Sequence, residues 1–259
     1  MNNLSAIIIT LNEENNLGRC LKALEGVADE IIVVDSFSTD RTEAICIEHG
    51  VTFFQRKFDG YGSQKRYATD KATHSYVLSV DADEVLSDEL RRSILVEKQV
   101  WSAPCYSFNI RNHYCGKPIR FCGWYPDRHV RIFNKQLTNW TNSDVHESIV
   151  VSSRNDIKWL KGDLLHYTCT SMEQHQQKEK KYAQMNAAIL VQKGAKIGFI
   201  LPYIKGGFRF FKTYILKLGI LDGYYGFVIS ATYALSSYMK YKIARDQMRK
   251  SVNINQSNH

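Results

Sequence analysis

Four short apolar runs, separated by segments of helical period, constrain the fold of this 259-residue chain more than any other feature. They lie at residues 5–11, 29–35, 51–54 and 76–80, and each is largely apolar, without a regular alternation of apolar and polar residues. Such runs are typical of strands that are covered on both faces, as in a parallel sheet with helices on each side. The pattern therefore predicts a doubly wound, mostly parallel α/β sheet with right-handed crossovers.

The chain changes character towards its C-terminus. The polar residues 12–15 are predicted to open the first helix, and residues 86–100 to form a later one. From residue 171 the pattern indicates a long polar helix, followed by helical pieces that a break at 221–223 divides. We predict an α/β domain over residues 1–170 with an insert at about 104–150, a helical region over 171–248, and a polar tail over 249–259.

Two carboxylates follow the fourth apolar run directly. Asp81 and Asp83 are one residue apart, with Glu84 next to them. In open α/β sheets, ligands bind in the crevice outside the carboxyl ends of the strands. Two neighbouring anions are costly unless a cation shares them, and hard divalent ions prefer oxygen ligands. The alternative is that Asp81 caps a helix and Asp83 is a solvated loop acid.

The charge of the chain favours an anionic partner. Its formal net charge is +8, while 44% hydrophobic and 23% charged residues are ordinary for a globular protein. Nucleic acid, a phosphorylated substrate and an anionic membrane surface all fit this charge. Residues 197–244 alternate bulky apolar residues with Lys and Arg, as in a helix that lies in a membrane interface. The alternative is a helical pair that packs on the body of the protein, with solvated lysines.

The cysteines and the N-terminus bear on location. Six cysteines are scattered without zinc-like spacing, and the N-terminus lacks a basic segment followed by an apolar core. We therefore expect reduced thiols in the cytoplasm. No window reaches about eighteen uncharged apolar residues, so we expect no spanning helix.

The acidic pair suits a nucleotide-sugar donor, whose diphosphate leaves more easily when its charge is neutralised. A divalent cation held by Asp83, with Asp81 supporting the ion or the ribose, would supply that neutralisation. Arg128 and Arg131 are candidates for further phosphate contacts, because arginine offers paired donors to phosphate oxygens. The alternative for both is a strand-edge arginine that faces water.

Transfer also needs a general base for the acceptor hydroxyl. Glu147 is the candidate, with His146 placed to orient it, and a plain surface glutamate is the alternative. His166 ends a short apolar run, where it would complete the metal site or contact phosphate. A core histidine with satisfied hydrogen bonds is the alternative for His166.

Residues 6–14, residues 32–42 and the Asp81-Ala82-Asp83 triplet together resemble family 2 glycosyltransferases of the GT-A type. The resemblance implies a nucleotide-sugar site and inversion at the anomeric carbon by a single displacement. It assigns the base and ribose to Thr10, Asn12, Glu14 and Asp35. It assigns the diphosphate and an Mg²⁺ or Mn²⁺ ion to Asp81 and Asp83.

Five later motifs, at residues 64–66, 124–128, 145–147, 165–167 and 221–223, are similar to the lipopolysaccharide-core β-glycosyltransferases. This likeness adds Gln64 and Lys65 to the donor site and makes a UDP-sugar the first candidate donor. It implies a lipid-linked or cell-envelope glycan acceptor and a peripheral position on the inner face of the bacterial inner membrane. Many family members use an Asp as base, in a Glu-Asp pair, so His146-Glu147 departs from the pattern.

Three other classes compete with this interpretation. A nucleic-acid-binding protein would fit the basic balance, but the basic residues form no recognised module, and we expect no nucleic-acid partner. A nucleotidyltransferase would carry a Gly-rich phosphate loop after the first strand, where residues 10–14 contain no glycine and no basic residue. A non-catalytic nucleotide-sugar binder would not need Glu147.

Overall fold

The computed structural model describes residues 2–141, 148–151 and 153–257. It divides the chain into two compact units, which are described separately below. The first unit comprises Met1–Arg111 and Pro126–His166, and the second comprises Asn112–Tyr125 and Tyr167–His259. The functional domain boundaries given above stay a prediction.

A parallel sheet forms the first part of the first unit. Its elements are β1 (Leu4–Thr10), α1 (Leu17–Leu24), β2 (Glu30–Asp35), α2 (Thr42–Glu48), β3 (Thr52–Gln55), α3 (Tyr61–Lys71) and β4 (Tyr76–Asp81). β1 pairs in parallel with β2 and β4, and β2 pairs in parallel with β3. Ala6 and Ile8 belong to one hydrophobic core with α1, whereas Ile7 belongs to another with α3. Helices therefore cover both faces, as the apolar runs predict.

The rest of the sheet is antiparallel. The later elements are β5 (Glu84–Leu86), α4 (Asp88–Glu97), β6 (Cys105–Tyr114), β7 (Lys117–Pro118), β8 (Asp127–Asn134) and β9 (Ile157–Cys169). The strand order is β3-β2-β1-β4-β8-β6-β9-β5, with β7 paired to β6. β8 is antiparallel to both β4 and β6, and β5 is antiparallel to β9. The predicted α/β fold is confirmed, and its parallel pairing is confined to the four N-terminal strands.

Two predicted helix boundaries are wrong. α1 begins at Leu17 rather than within residues 12–15, because Asn12 adopts a left-handed φ of 56° and residues 14–16 form a turn. α4 begins only after Ser87, whose side chain caps it, because residues 84–86 form β5. In both places the chain turns before the helix, which leaves polar groups at the carboxyl edge of the sheet.

The second unit contains three long helices, α5 (Met172–Gln192), α6 (Leu201–Phe211) and α7 (Gly223–Ser257). A π-helical turn at Lys212–Leu216 and a 3₁₀ turn at Gly219–Asp222 join α6 to α7, so the predicted break is confirmed. α5 and α6 both pack on α7. A Cβ at Gly206 would lie 3.2 Å from the Ala234 carbonyl oxygen, so the absence of a side chain permits this close packing of α6 on α7. Within the part of the chain that the structure describes, no helix is long and apolar enough to cross a membrane.

Candidate active site

Three of the predicted site residues meet at the carboxyl edge of the parallel strands. β1 ends at Thr10, β2 at Asp35 and β4 at Asp81. The strand register pairs Thr10 with Asp35 and places Ile9 opposite Asp81. The structure therefore brings these polar side chains together where the sequence predicts a ligand.

The loops after β1 and β2 are tied to each other by the predicted donor-binding residues. Asp35 is fully buried and accepts hydrogen bonds from the Ser38 backbone N–H at 2.8 Å and from the Ser38 hydroxyl. The Asn12 N–H donates to Ser38 Oγ at 2.7 Å. Glu14 Oε2 accepts from the Arg41 N–H at 3.1 Å. These contacts fix the shape of the edge around Asp35.

Gln64 and Thr10 are both buried at this edge of the sheet. Gln64 is fully buried, where its oxygen accepts from Arg56 Nη1 at 2.7 Å and its amide donates to Ser36 Oγ at 3.1 Å. Gln64 thus holds the loop that follows β2 through its hydrogen bond to Ser36. Thr10 Oγ1 is buried and has no hydrogen-bond partner among the described residues. A buried hydroxyl of this kind needs a partner from outside the chain, such as a ligand or water.

Asp81 is held between two cations. Lys65 Nζ lies 3.1 Å from Asp81 Oδ1, and both terminal nitrogens of Arg131 lie 3.4 Å from Oδ2. Burial by itself would raise the pKa of Asp81, but Lys65 and Arg131 lower it more, so the net pKa lies well below its ordinary value. Asp81 ends β4, and its side chain contacts Lys65 and Arg131 rather than capping a helix.

Glu84 completes this network, and the sequence analysis gave it no role. It is fully buried and accepts hydrogen bonds from Arg131 Nη2 at 2.7 Å and from the Asp81 backbone N–H at 2.8 Å. Burial raises the pKa of Glu84, Arg131 opposes that rise, and the charge of Asp81 adds to it. The available sequence signal was its position directly after the acidic pair.

A β-bulge gives Arg131 its place in the network. The pairing of β6 with β8 passes from Ile132 to Val130 and leaves Arg131 as an extra residue on β8. Bulges of this kind redirect a side chain and are frequent beside active sites. Arg128 has a different position, with its guanidinium carbon 5.5 Å from the centre of the Trp159 ring. The two predicted arginines therefore have separate surroundings, and donor contact by Arg128 stays a prediction.

Asp83 and His166 face each other beside this network. Asp83 Oδ2 lies 3.2 Å from His166 Nε2, and each side chain is 24% exposed. Burial lowers the pKa of His166, but the hydrogen bond and charge of Asp83 raise it more, so the net pKa is raised. Two neighbouring ligands at about 2.1 Å from an octahedral ion are about 3 Å apart, so this pair has the spacing of two ligands of one ion. No cluster of three or more His, Cys, Asp or Glu residues in the described chain is arranged to hold a metal.

The predicted base Glu147 and its neighbour His146 lie outside the described residues. The described residues that flank them are anchored to each other. The Thr141 N–H donates to the Ser148 carbonyl at 2.8 Å, and Trp140 forms an antiparallel bridge with Ile149. Lys65, which pairs with Asp81, lies over the Trp140 ring at 5.3 Å. The anchored flanks therefore lie next to the Asp81 network.

Comparisons with known proteins identify the family of the chain. The family model named Glycosyl transferase family 2 matches residues 5–156. The chain is 30% identical over 266 residues to an uncharacterized glycosyltransferase of Rickettsia felis, covering 98% of this chain and 93% of that protein. It is also 30% identical over 249 residues to the lipopolysaccharide core biosynthesis glycosyltransferase LpsC of Rhizobium meliloti, covering 91% and 89%.

A crystal structure of S. aureus TarS, residues 1–349, aligns with a TM-score of 0.45 and 14% identity, covering 96% of this chain and 92% of that one. The family match spans more than half of the chain, and the relatives match nearly all of it. The chain belongs to glycosyltransferase family 2. Its fold is of the GT-A type, and its activity is glycosyl transfer from a nucleotide-sugar donor.

Proposed function

We propose that the chain is an inverting, divalent-metal-dependent hexosyltransferase that moves a sugar from a UDP-sugar to a hydroxyl of a lipid-linked or cell-envelope glycan. The observation that carries the proposal is the convergence of Thr10, Asp35 and Asp81 at one sheet edge, beside the facing pair of Asp83 and His166. The acceptor class is supported by LpsC, a relative whose name places it in lipopolysaccharide core biosynthesis.

The nucleoside would lie at the ends of β1 and β2. Asp35 is rigidly held by Ser38, and Asn12 and Glu14 fix the loop around it. A rigid carboxylate can accept hydrogen bonds from ribose hydroxyls without losing side-chain entropy. The buried hydroxyl of Thr10 would gain its missing hydrogen bond from the same ligand.

The diphosphate would lie over a set of compensated charges. Asp81 lies within 3.4 Å of Lys65 and Arg131, and Glu84 lies 2.7 Å from Arg131. The charge of Asp83 would be met by the divalent ion. A dianionic ligand therefore meets a nearly balanced field rather than three bare carboxylates. Lys65 and Arg131 also bring N–H donors to the edge that the phosphates would occupy.

The donor set of Asp83 and His166 fits a hard divalent ion, Mg²⁺ or Mn²⁺. When bound, such an ion neutralises the charge that develops on the departing diphosphate. Asp81 has a different role in this arrangement, because its two oxygens orient Lys65 and Arg131. Its carboxylate would support the ion from the side of these cations.

Glu147 would act as the base, oriented by His146. As the acceptor oxygen bonds to the anomeric carbon, the bond from that carbon to the phosphate oxygen breaks and the hydroxyl proton passes to Glu147. Attack from the face opposite the leaving group inverts the configuration. The proposal is supported by the anchoring of Thr141 and Ser148, since Ser148 directly follows Glu147 in the chain.

The acceptor would be reached from the inner face of the inner membrane, with the protein bound peripherally to an anionic surface. The support for this position is the exposed apolar and basic character of the second unit.

Replacing Glu147 tests the proposed chemistry. Glu147→Gln should lower transfer by about 10²- to 10⁴-fold while donor binding is unchanged, because the amide cannot accept the proton. Glu173→Gln, an exposed residue of the second unit, is the matched control and should keep full transfer. The readout is the rate of sugar transfer at saturating donor, with anomeric configuration read by NMR. Normal transfer in Glu147→Gln would assign the base to another residue, and a retained configuration would refute the inverting mechanism.

A further inference from the structure

A groove on the second unit collects basic side chains that form no ion pair with any residue the structure describes. It lies among α5, α6 and α7 and has a volume of about 260 Å³. Four basic residues line it, and we call it the cationic groove. They are Lys205, Arg209, Lys212 and Lys240. Among the described residues that line it, Glu179 is the single acid, and none of the four cations forms an ion pair within the described chain.

Aromatic rings position these cations. The Arg209 guanidinium carbon lies 4.9 Å from the centre of the Tyr233 ring. Lys205 and Lys240 lie 5.9 Å and 5.4 Å from the centre of the Tyr241 ring. A ring face attracts a cation but leaves its charge in place. The groove therefore keeps its cations together without cancelling them.

A neighbouring groove between α5 and α7 has the opposite charge. That groove has a volume of about 320 Å³ and contains Glu173 and Glu179 against Lys180 alone. Its charged residues thus sum to a net negative charge. Of the two grooves, the one that α6 helps to form therefore carries the positive charge.

An exposed apolar stripe runs along α6, from the residue that precedes the helix to the π-helical turn that follows it, beside the basic residues. It consists of Ile200, Ile204, Phe208, Phe211 and Ile215, each exposed by 43% to 64%. The spacing of three or four residues places them on one side of the helix. Lys205, Arg209 and Lys212 each follow a stripe residue directly, about 100° further around the helix. The apolar stripe and the basic row therefore lie next to each other along α6.

We propose that this face of the second unit docks on an anionic membrane, with lipid phosphate headgroups in the cationic groove and the apolar stripe of α6 in the headgroup–acyl boundary. This surface would account for the peripheral membrane position given under the proposed function. The membrane contact is argued from the second unit alone, and only the link to a lipid-linked acceptor rests on the proposed function. An exposed apolar face with aromatic residues beside a row of Lys and Arg is the pattern of interfacial helices. The uncompensated cations are complementary to the phosphates of an anionic leaflet.

The lining of the groove favours a headgroup over an apolar ligand. Pockets for drug-sized molecules are mostly apolar. In this groove, Ser236, Ser237 and Tyr241 add hydroxyls to the cations. A phosphate diester with a short polar group matches this lining.

Vesicle binding of the full chain tests the charged part of the surface. The probe is co-sedimentation with vesicles of phosphatidylcholine alone or with added phosphatidylglycerol. We expect binding to the anionic vesicles, and Lys205→Gln/Lys212→Gln/Lys240→Gln should weaken it by about fivefold per lysine, on the order of 100-fold together. The control Lys22→Gln/Lys71→Gln/Lys117→Gln removes the same charge from exposed lysines elsewhere and should change binding by about twofold at most.

The apolar stripe is tested separately with Ile204→Ser/Phe208→Ser. Both side chains are exposed, so the fold should persist, as far-UV circular dichroism would verify. Binding to the anionic vesicles should fall on the order of tenfold for each lost apolar side chain. Undiminished binding would show that the stripe does not enter the bilayer.

Three results would overturn the proposal. The first is equal weakening by the groove variant and its lysine control. The second is binding of inorganic phosphate or glycerol 1-phosphate to the groove, seen by NMR, without vesicle binding, which would indicate a soluble phosphate ester. The third is dimerisation that Ile204→Ser/Phe208→Ser abolishes, without vesicle binding, which would assign the stripe to a second copy. Donor binding measured without vesicles distinguishes the proposed function from the membrane proposal. If the wild type did not bind the donor, the proposed function would be refuted, but the proposal of a membrane-binding surface would be unaffected.

Discussion

The carboxyl-edge site and the cationic groove both gather basic side chains, but they differ in what stands against them. In the site, Lys65 and Arg131 lie within 3.4 Å of Asp81 and Glu84. In the groove, the described chain supplies one acid, Glu179, for four cations. Cations that the chain neutralises fix a geometry, whereas cations without such partners among the described residues are available to an anion from outside.

The difference has an energetic side. Taking ion pairs out of water is expensive, so each partner of a buried pair depends on the other, and removing one leaves an uncompensated charge. Exposed cations without partners contribute little to stability. The same type of substitution should therefore have large effects on stability in the site and small ones in the groove.

The largest expected effect is that of Arg131→Ala. It leaves the fully buried Glu84 without its cation and should cost about 3–5 kcal/mol in the free energy of unfolding. Arg128→Ala, on the same strand but exposed over Trp159, is the matched control and should cost about 1 kcal/mol or less. Urea denaturation of both variants measures the difference. Adding Glu84→Gln to Arg131→Ala should restore part of the loss, and equal losses in the two arginine variants would contradict the account.

The sequence was sufficient for the parts of the site that depend on local pattern. Apolar runs identify β1, β2 and β4, and each run ends close to the polar residue that it delivers to the sheet edge. The amino-acid pattern alone therefore places Thr10, Asp35 and Asp81 together. The sequence also suggests Asp83 and His166 as members of one site, since both residues follow short apolar runs, and the structure places them face to face.

The rest of the site depends on long-range pairing that local pattern does not encode. Glu84 bonds Arg131 across 47 residues, and the contact exists because β8 bulges at Arg131. The sequence does not reveal the bulge, so it gives Arg128 and Arg131 the same predicted role as phosphate contacts. The left-handed backbone at Asn12, which delays α1, follows from its contacts with the loop at Ser38. Glu147 and His146 stay predictions.

The core of the second unit contains a buried titratable group, His175, without an acidic partner among the described residues. In contrast to the ion-paired groups of the site, this histidine is stabilised in its neutral form. His175 is 3% exposed, its Nδ1 lies 3.2 Å from the Tyr114 hydroxyl, and its ring lies 5.6 Å from that of Tyr233. Burial, together with a smaller effect of the charge of Lys178, lowers the pKa of His175 to about 4.

Because the folded pKa of His175 lies below the unfolded value of about 6.5, the unfolded chain binds more protons between these two pH values. The contribution of His175 to stability is therefore complete above about pH 6.5 and is lost as the pH falls towards 4, by about 3 kcal/mol in total. His175→Phe should lack this part of the pH dependence. Urea denaturation at pH 7 and pH 4.5 measures it, and an equal pH dependence in the variant would show that His175 is not the group responsible.

The smallest effect is expected in the groove. Lys205→Gln breaks no ion pair within the described chain and relieves repulsion from the nearby cations, so the free energy of unfolding should change by about 0.5 kcal/mol or less. Thermal denaturation without vesicles gives the value. A loss of several kcal/mol would mean that the groove is part of the fold rather than a surface for an external anion.

The most direct test of the central claim is the melting temperature with a UDP-sugar, with and without Mn²⁺, in the wild type and in Asp83→Asn. A ligand present at one hundred times its Kd stabilises the folded state by about 2.7 kcal/mol, or roughly 5–10 °C for a chain of this size. The account predicts this rise for the wild type only when the metal is present, and no rise for Asp83→Asn. A wild type that does not respond to the donor, or an Asp83→Asn variant that responds as the wild type does, would contradict the assignment of the carboxyl edge as the donor site.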